Sequence, residues 1–199
     1  MEDQLILSIG REFGSGGHEI AQKLADHYQL PLYDHNLLNE LADRRNLDGN
    51  VLKEFDETRR NKLLSRTVRG MNSSPEQNVA EMQFDYLREK ADAGESFVIV
   101  GRCSETVLKG RPGLVTIFVL GDMEAKIQRI MRLYQKTRQD AEALILEKDR
   151  KRKLYHNSHS KFKWGDSRNY DFSINSSKLG VDESVRILTQ YIDARRKRT

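Results

Sequence analysis

The sequence predicts an α/β fold in which a parallel sheet is covered by helices on both faces. Three observations carry this. Short apolar runs rich in β-branched and aromatic residues recur along the chain, segments of helical periodicity alternate with them, and a glycine-rich stretch lies where the first run passes into the first helical segment. The strand candidates are Leu5 to Ile9, Leu30 to Tyr33, Phe97 to Val100, Val115 to Leu120 and Phe172 to Ile174.

Apolar residues at helical spacing define the covering helices: Ile20, Leu24 and Tyr28; Met123, Ile127, Ile130 and Tyr134; Val181, Val185, Leu188 and Ile192. Ser74-Pro75-Glu76-Gln77 puts a capping serine, a first-turn proline and a back-bonding glutamine in register, and Gly94 ends that helix. Thr137 with Asp140 marks a further start. Residues 35–95 exceed what one crossover helix needs and read as an inserted helical lobe.

Composition narrows the function classes. At 199 residues the chain suits a single domain with such a lobe. No apolar stretch approaches the ~20 residues that span a bilayer, and the first ten residues carry two acids and no basic leader, so a cytoplasmic protein without membrane partners is expected. Cys103 is the single cysteine, which excludes an intrachain disulfide and a cysteine-based zinc site. A net charge of +4 suits phosphorylated ligands but is too small for a dedicated nucleic-acid binder, and Arg195-Arg196-Lys197-Arg198 reads as a solvated helix end. The sequence does not fix the oligomeric state.

The most informative segment is Gly10-Arg11-Glu12-Phe13-Gly14-Ser15-Gly16-Gly17-His18, which follows the first strand and opens the first helix. Glycines there let backbone N–H groups turn toward an anion, and the helix N-terminus adds its positive pole. The loop departs from the usual lysine-bearing phosphate loop: Gly17 stands at the lysine position and Glu19 at that of the magnesium-side hydroxyl. Arg11 and His18 are the local cations, and Ser15 is the one hydroxyl in the loop. Glu19 fits an acid in a first helical turn.

With Ser8 through Ala21, Leu32-Tyr33-Asp34, Val98 through Cys103, Asp149 through Arg152, Asn169-Tyr170-Asp171 and Ile174 through Gly180, the chain resembles the cytidylate kinase-like family over nearly its whole length. His18 and Cys103 depart from that family's pattern, which has arginine and aspartate there. The resemblance implies a three-layer P-loop kinase fold, one domain over residues 1–199 with an acceptor-binding lobe at 35–95 and a basic lid at 137–168. It further implies ATP with Mg²⁺ as cofactors and small-molecule nucleotides as partners. The metal ligands are not identified by sequence.

Ligands of open parallel sheets bind beyond the carboxyl ends of the strands. Asp34 and Arg102 both stand there. The resemblance implies that Arg102 holds the acceptor phosphate, which its planar guanidinium would match, the alternative being a surface ion pair; Asp34 is either an acceptor ligand or a helix N-cap. Arg150-Lys151-Arg152-Lys153 is either a solvated helix face or the lid, and in a loop without lysine the lid reading makes Arg150 and Arg152 the catalytic cations. His156 and His159 read as solvent-facing or phosphate-near, and Trp164 as the anchor of the lid's end. Gly10, Arg11, Gly14, Ser15, Gly16, Gly17 and His18 would bind the ATP phosphates. The expected activity is phosphoryl transfer from ATP to a nucleoside monophosphate, CMP or dCMP. A kinase of another small metabolite and a non-catalytic nucleotide-binding regulator are the alternatives.

Overall fold

A computed structural model describes residues 4–34, 37, 67–68, 71–72 and 75–197. The first strand, β1 (Ile6–Arg11), is buried over nearly its whole length and leads through the glycine stretch into α1 (Gly17–Tyr28). After β2 (Leu32–Tyr33), the next described strands are β3 (Thr67–Val68) and β4 (Met71–Asn72), an antiparallel pair outside the main sheet. Then come α2 (Pro75–Asp92), β5 (Phe97–Val100), α3 (Ser104–Val107), β6 (Leu114–Leu120), α4 (Met123–Tyr134), α5 (Arg138–His159), β7 (Phe172–Asn175) and α6 (Ser176–Arg196).

The main sheet has five parallel strands in the order β2-β5-β1-β6-β7. Side chains alternate across its faces as the period of two requires. Leu7, Ile9, Val98 and Ile117 pack under α1 and α6; Ile6, Phe97 and Ile99 pack under α2. On α1 the buried set Ile20, Ala21, Leu24 and Ala25 forms one stripe, and Leu188 and Ile192 close that layer from α6. Every expected strand is present, within a residue or two of the predicted ends.

The expected lobe at 35–95 lies largely outside the described residues, as does Ser74; within it the structure describes Leu37, the β3–β4 pair and α2. Residues 137–168 begin as one continuous helix, α5. Thr137 caps it as its spacing predicts, its Oγ1 accepting from the Asp140 N–H at 3.2 Å. Ala141 and Ile145 seat α5 on Ile127 and Ile130 of α4. Among the described residues no helix is long and apolar enough to cross a membrane.

Candidate functional site

All five strands point the same way, so the loops after β1, β2, β5, β6 and β7 gather at one edge of the sheet. The glycine loop stands at its centre, since β1 is the middle strand. Gly14 and Gly16 have φ of 82° and 81°, a left-handed backbone that only glycine adopts at little cost, and Gly16 is the N-cap of α1. The glycine loop thus leads directly into the N-terminus of α1, where helix amides and dipole favour an anion.

Ser15 is turned inward: its Oγ donates to the Glu12 carbonyl (2.9 Å) and accepts from the Gly17 N–H (3.3 Å), so the hydroxyl braces the loop. Ser176 Oγ, at the head of α6, donates to the Ser15 carbonyl at 2.5 Å and ties the loop to β7. His18 is exposed at the rim, its Nδ1 3.8 Å from the buried Asp34 carboxylate. Asp34 thus lies beside the loop, and its carbonyl accepts from the Leu37 N–H in the turn that follows.

Two open clefts flank the loop. One, of about 510 Å³, lies between Arg129 and Arg132 of α4 and the Ser176–Val181 segment, against Gly14 and Ser15. The other, of about 500 Å³, runs along the loop from Arg11 to Glu19 and is walled by Arg129 and Arg152. Arg129 belongs to both. It forms an ion pair with Glu19, and a Cβ added to Gly16 would lie 3.4 Å from its Nη1, so a guanidinium stands over the loop where the sequence offers no lysine. Sequence reasoning missed Arg129 because α4 lies more than a hundred residues from the loop.

On the acceptor side, residues Gly101, Arg102 and Cys103 have consecutive positive φ of 78°, 61° and 51°. Two of these are non-glycine residues in a costly conformation, which persists only where the surroundings enforce it and which clusters at functional sites. The positive φ favours glycine at position 101, and a Cβ there would displace the Arg11 guanidinium. The turn buries Arg102, so it does not stand at the surface. Arg11, Arg102 and Arg152 line one water-sized cavity of about 30 Å³ with Glu105, His156 and Tyr170.

Arg152 comes to this point from α5. Its Nη1 donates to the Arg11 carbonyl at 3.4 Å, and its guanidinium stacks 5.4 Å from the centre of the Phe13 ring. Arg11 and Arg152 line both the loop cleft and the small cavity, so they stand at the junction of the two. Arg150 is not brought there. Two positions from Arg152 on a helix is about half a turn, and Arg150 is exposed on the other side, lining none of these three cavities.

His156 is buried, not solvent-facing. Its Nε2 lies 2.7 Å from Glu105 Oε1, and this pair fastens the end of α5 to α3 beside the Arg102 turn. Burial alone would lower the imidazole pKa, but the hydrogen bond and charge of Glu105 outweigh it, so it is raised from its ordinary 6.5. The pair's contribution is accordingly full below about pH 6.5 and lost as pH rises through the raised value. The difference in Tm between wild type and His156→Gln should shrink from pH 6 to pH 9; a difference that grows would contradict the assignment. Trp164 packs edge-on against Phe118 at 5.4 Å, and its backbone N–H donates to Asn157 Oδ1 at 2.9 Å, so it anchors the segment after α5 to the sheet.

A family model described as the cytidylate kinase-like family matches residues 6–178. A search of curated proteins gives no match. Among solved structures, the chain is similar to an uncharacterized protein from Eubacterium ventriosum, with 38% identity over 96% of this chain and 99% of that one and a TM-score of 0.77. It is also similar in fold to shikimate kinase from Bacteroides thetaiotaomicron (14% identity, 95% and 98% coverage, TM-score 0.56). Shikimate kinase from Acinetobacter baumannii in complex with shikimate gives 14%, 98% and 96%, and 0.53. The parallel sheet, the glycine loop after its central strand and these neighbours together are the P-loop kinase fold, and family and fold support a nucleotide-dependent phosphotransferase. On the match across residues 6–178, the chain belongs to the cytidylate kinase-like family.

Proposed function

We propose that this protein transfers the γ-phosphoryl group of ATP to a nucleoside monophosphate, with CMP or dCMP as acceptor. One observation carries the reading: Arg11 and Arg152 stand at the junction between the loop cleft and the Arg102 cavity. Arg11, Arg102 and Arg152 line that cavity together with Glu105 and His156. Planar guanidiniums match phosphate oxygens bidentately, so this side suits an acceptor that is itself a phosphate. Because the cavity is water-sized here, an acceptor phosphate enters by parting these side chains.

In this mechanism the loop amides and Arg129 hold the donor phosphates, and the cleft between α4 and the Ser176–Val181 segment takes the donor's base. Arg102 holds the acceptor phosphate, and Arg11 and Arg152 stabilise the charge spread over the phosphoryl group in flight. A phosphate acceptor is ionised at neutral pH, so no general base is required. Among the described residues no group of three or more His, Cys, Asp or Glu side chains could hold a metal, and Glu12 and Glu19 at the loop are each engaged by a cation. Magnesium would enter with the substrate as the Mg²⁺–ATP complex, where it neutralises phosphate oxygens.

A second reading, a small acceptor presenting a hydroxyl, is favoured by the buried Asp34 carboxylate beside the loop, placed to take a hydroxyl proton. A coupled ADP-release screen separates the two. Cytidine monophosphates should give the fastest release among ribo- and deoxynucleoside monophosphates; sugars or other unphosphorylated alcohols outpacing every monophosphate would reject the proposed acceptor. Thermal stabilisation by ATP with no ADP from any acceptor would instead identify a binding protein without turnover.

A further inference from the structure

The phosphate loop has no lysine of its own, yet a lysine stands behind it. Lys126 lies in the first turns of α4, beside Ile127 and one turn before Ile130, on the face that packs into the core. Its side chain is only 5% exposed, and a buried ammonium must be paired. Nζ lies 3.0 Å from Glu12 Oε2 and 3.1 Å from Asp149 Oδ2. Both carboxylates also grip backbone: Glu12 Oε2 accepts from the Gly121 N–H at 3.1 Å, and Asp149 Oδ1 accepts from the Phe13 N–H at 2.6 Å. The stem of Lys126 runs under Gly14, where an added Cβ would be 3.2 Å from Lys126 Cβ. Loop, β6–α4 turn and α5 therefore meet on one ammonium.

We propose that Lys126 is a positioning residue that sets the charge of the phosphate loop, holding Glu12 and Asp149 so that a triphosphate can bind above them. The inference rests on the nucleotide reading given above. With Arg152 beside Asp149, the two carboxylates and two cations of this group are neutral; without the ammonium the group carries −1 at the phosphate loop. The Glu12 and Asp149 side chains are 26% and 17% exposed, so solvent screens that repulsion only in part. Arg152 lies 3.9 Å from Asp149 on the other side. An Asp149 released by Lys126 would draw Arg152 toward itself and away from the transferring group. Loss of Lys126 therefore weakens binding first and lowers kcat second.

The test measures binding of Mg²⁺–ATP and of inorganic tripolyphosphate by calorimetry, with folding followed by circular dichroism. Lys126→Met keeps the stem and removes the charge, and its Kd for both ligands should rise about tenfold or more. Combining K126M with E12Q and D149N removes the repulsion while the amide oxygens still accept from the Gly121 and Phe13 N–H groups. The triple variant should return to within about threefold of wild type. A folded K126M with wild-type affinity, or a triple variant as weak as K126M, overturns the proposal while leaving the kinase reading intact. Should K126M not fold, the triple variant decides alone by the same criterion. Wild-type protein that binds neither ligand overturns both the nucleotide reading and this one.

Discussion

Arg152→Ala should lower kcat by about 10³-fold while leaving ATP affinity within a few-fold of wild type. The guanidinium sits where the donor cleft meets the Arg102 cavity, so its contribution is largest when charge is passing between them. Ground-state donor binding rests instead on the loop amides and Arg129. Arg152→Lys should recover little: an ammonium lacks the planar fork that reaches a phosphoryl oxygen while stacking on Phe13. Arg150→Ala, on the exposed side of the same helix, should change kcat less than twofold. Steady-state kinetics of the three variants with ATP and the best acceptor checks this, and equal losses at positions 150 and 152 would mean that the helix acts through its general charge.

Gly16→Val should all but abolish nucleotide binding. The residue has φ of 81°, where a β-branched side chain is strained by roughly 2 kcal/mol. An added Cβ would lie 3.2 Å from Val181 and 3.4 Å from the Arg129 guanidinium, so the new side chain would push aside the cation that stands over the loop. A loss of affinity of about a hundredfold or more is expected, with Tm lowered by roughly 4–8 °C. A variant that melts lower yet binds ATP as wild type does would make the loop a structural turn and nothing more.

The strands were legible because each is a short apolar run bounded by breakers, and the helix starting at Thr137 because its capping chemistry is local. What sequence reading missed is non-local or conformational. The helix α3 follows three left-handed residues that no periodicity announces. Arg129 and Lys126 reach the loop from α4, although one signal was present: Lys126 stands on the apolar side of an amphipathic segment, where a charge demands a partner. Helical phase also separates the basic run. Ala141, Ile145, Asp149, Arg152 and His156 share the inward side of α5, which places Arg152 at the site, buries His156 and leaves Arg150 in solvent. Apart from Leu37, residues 35–66 of the lobe expected at 35–95 lie outside the described residues.

Phosphorus NMR of the protein incubated with ¹⁸O-γ-labelled ATP, magnesium and CMP tests the central claim most directly, because it identifies the atom that accepts the phosphoryl group. Transfer across the Arg11–Arg152 junction predicts CDP carrying the labelled phosphoryl group on its β-phosphorus, formed in step with ADP and absent in Arg152→Ala on the same timescale. Labelled inorganic phosphate accumulating with no CDP or other phosphorylated acceptor would contradict it.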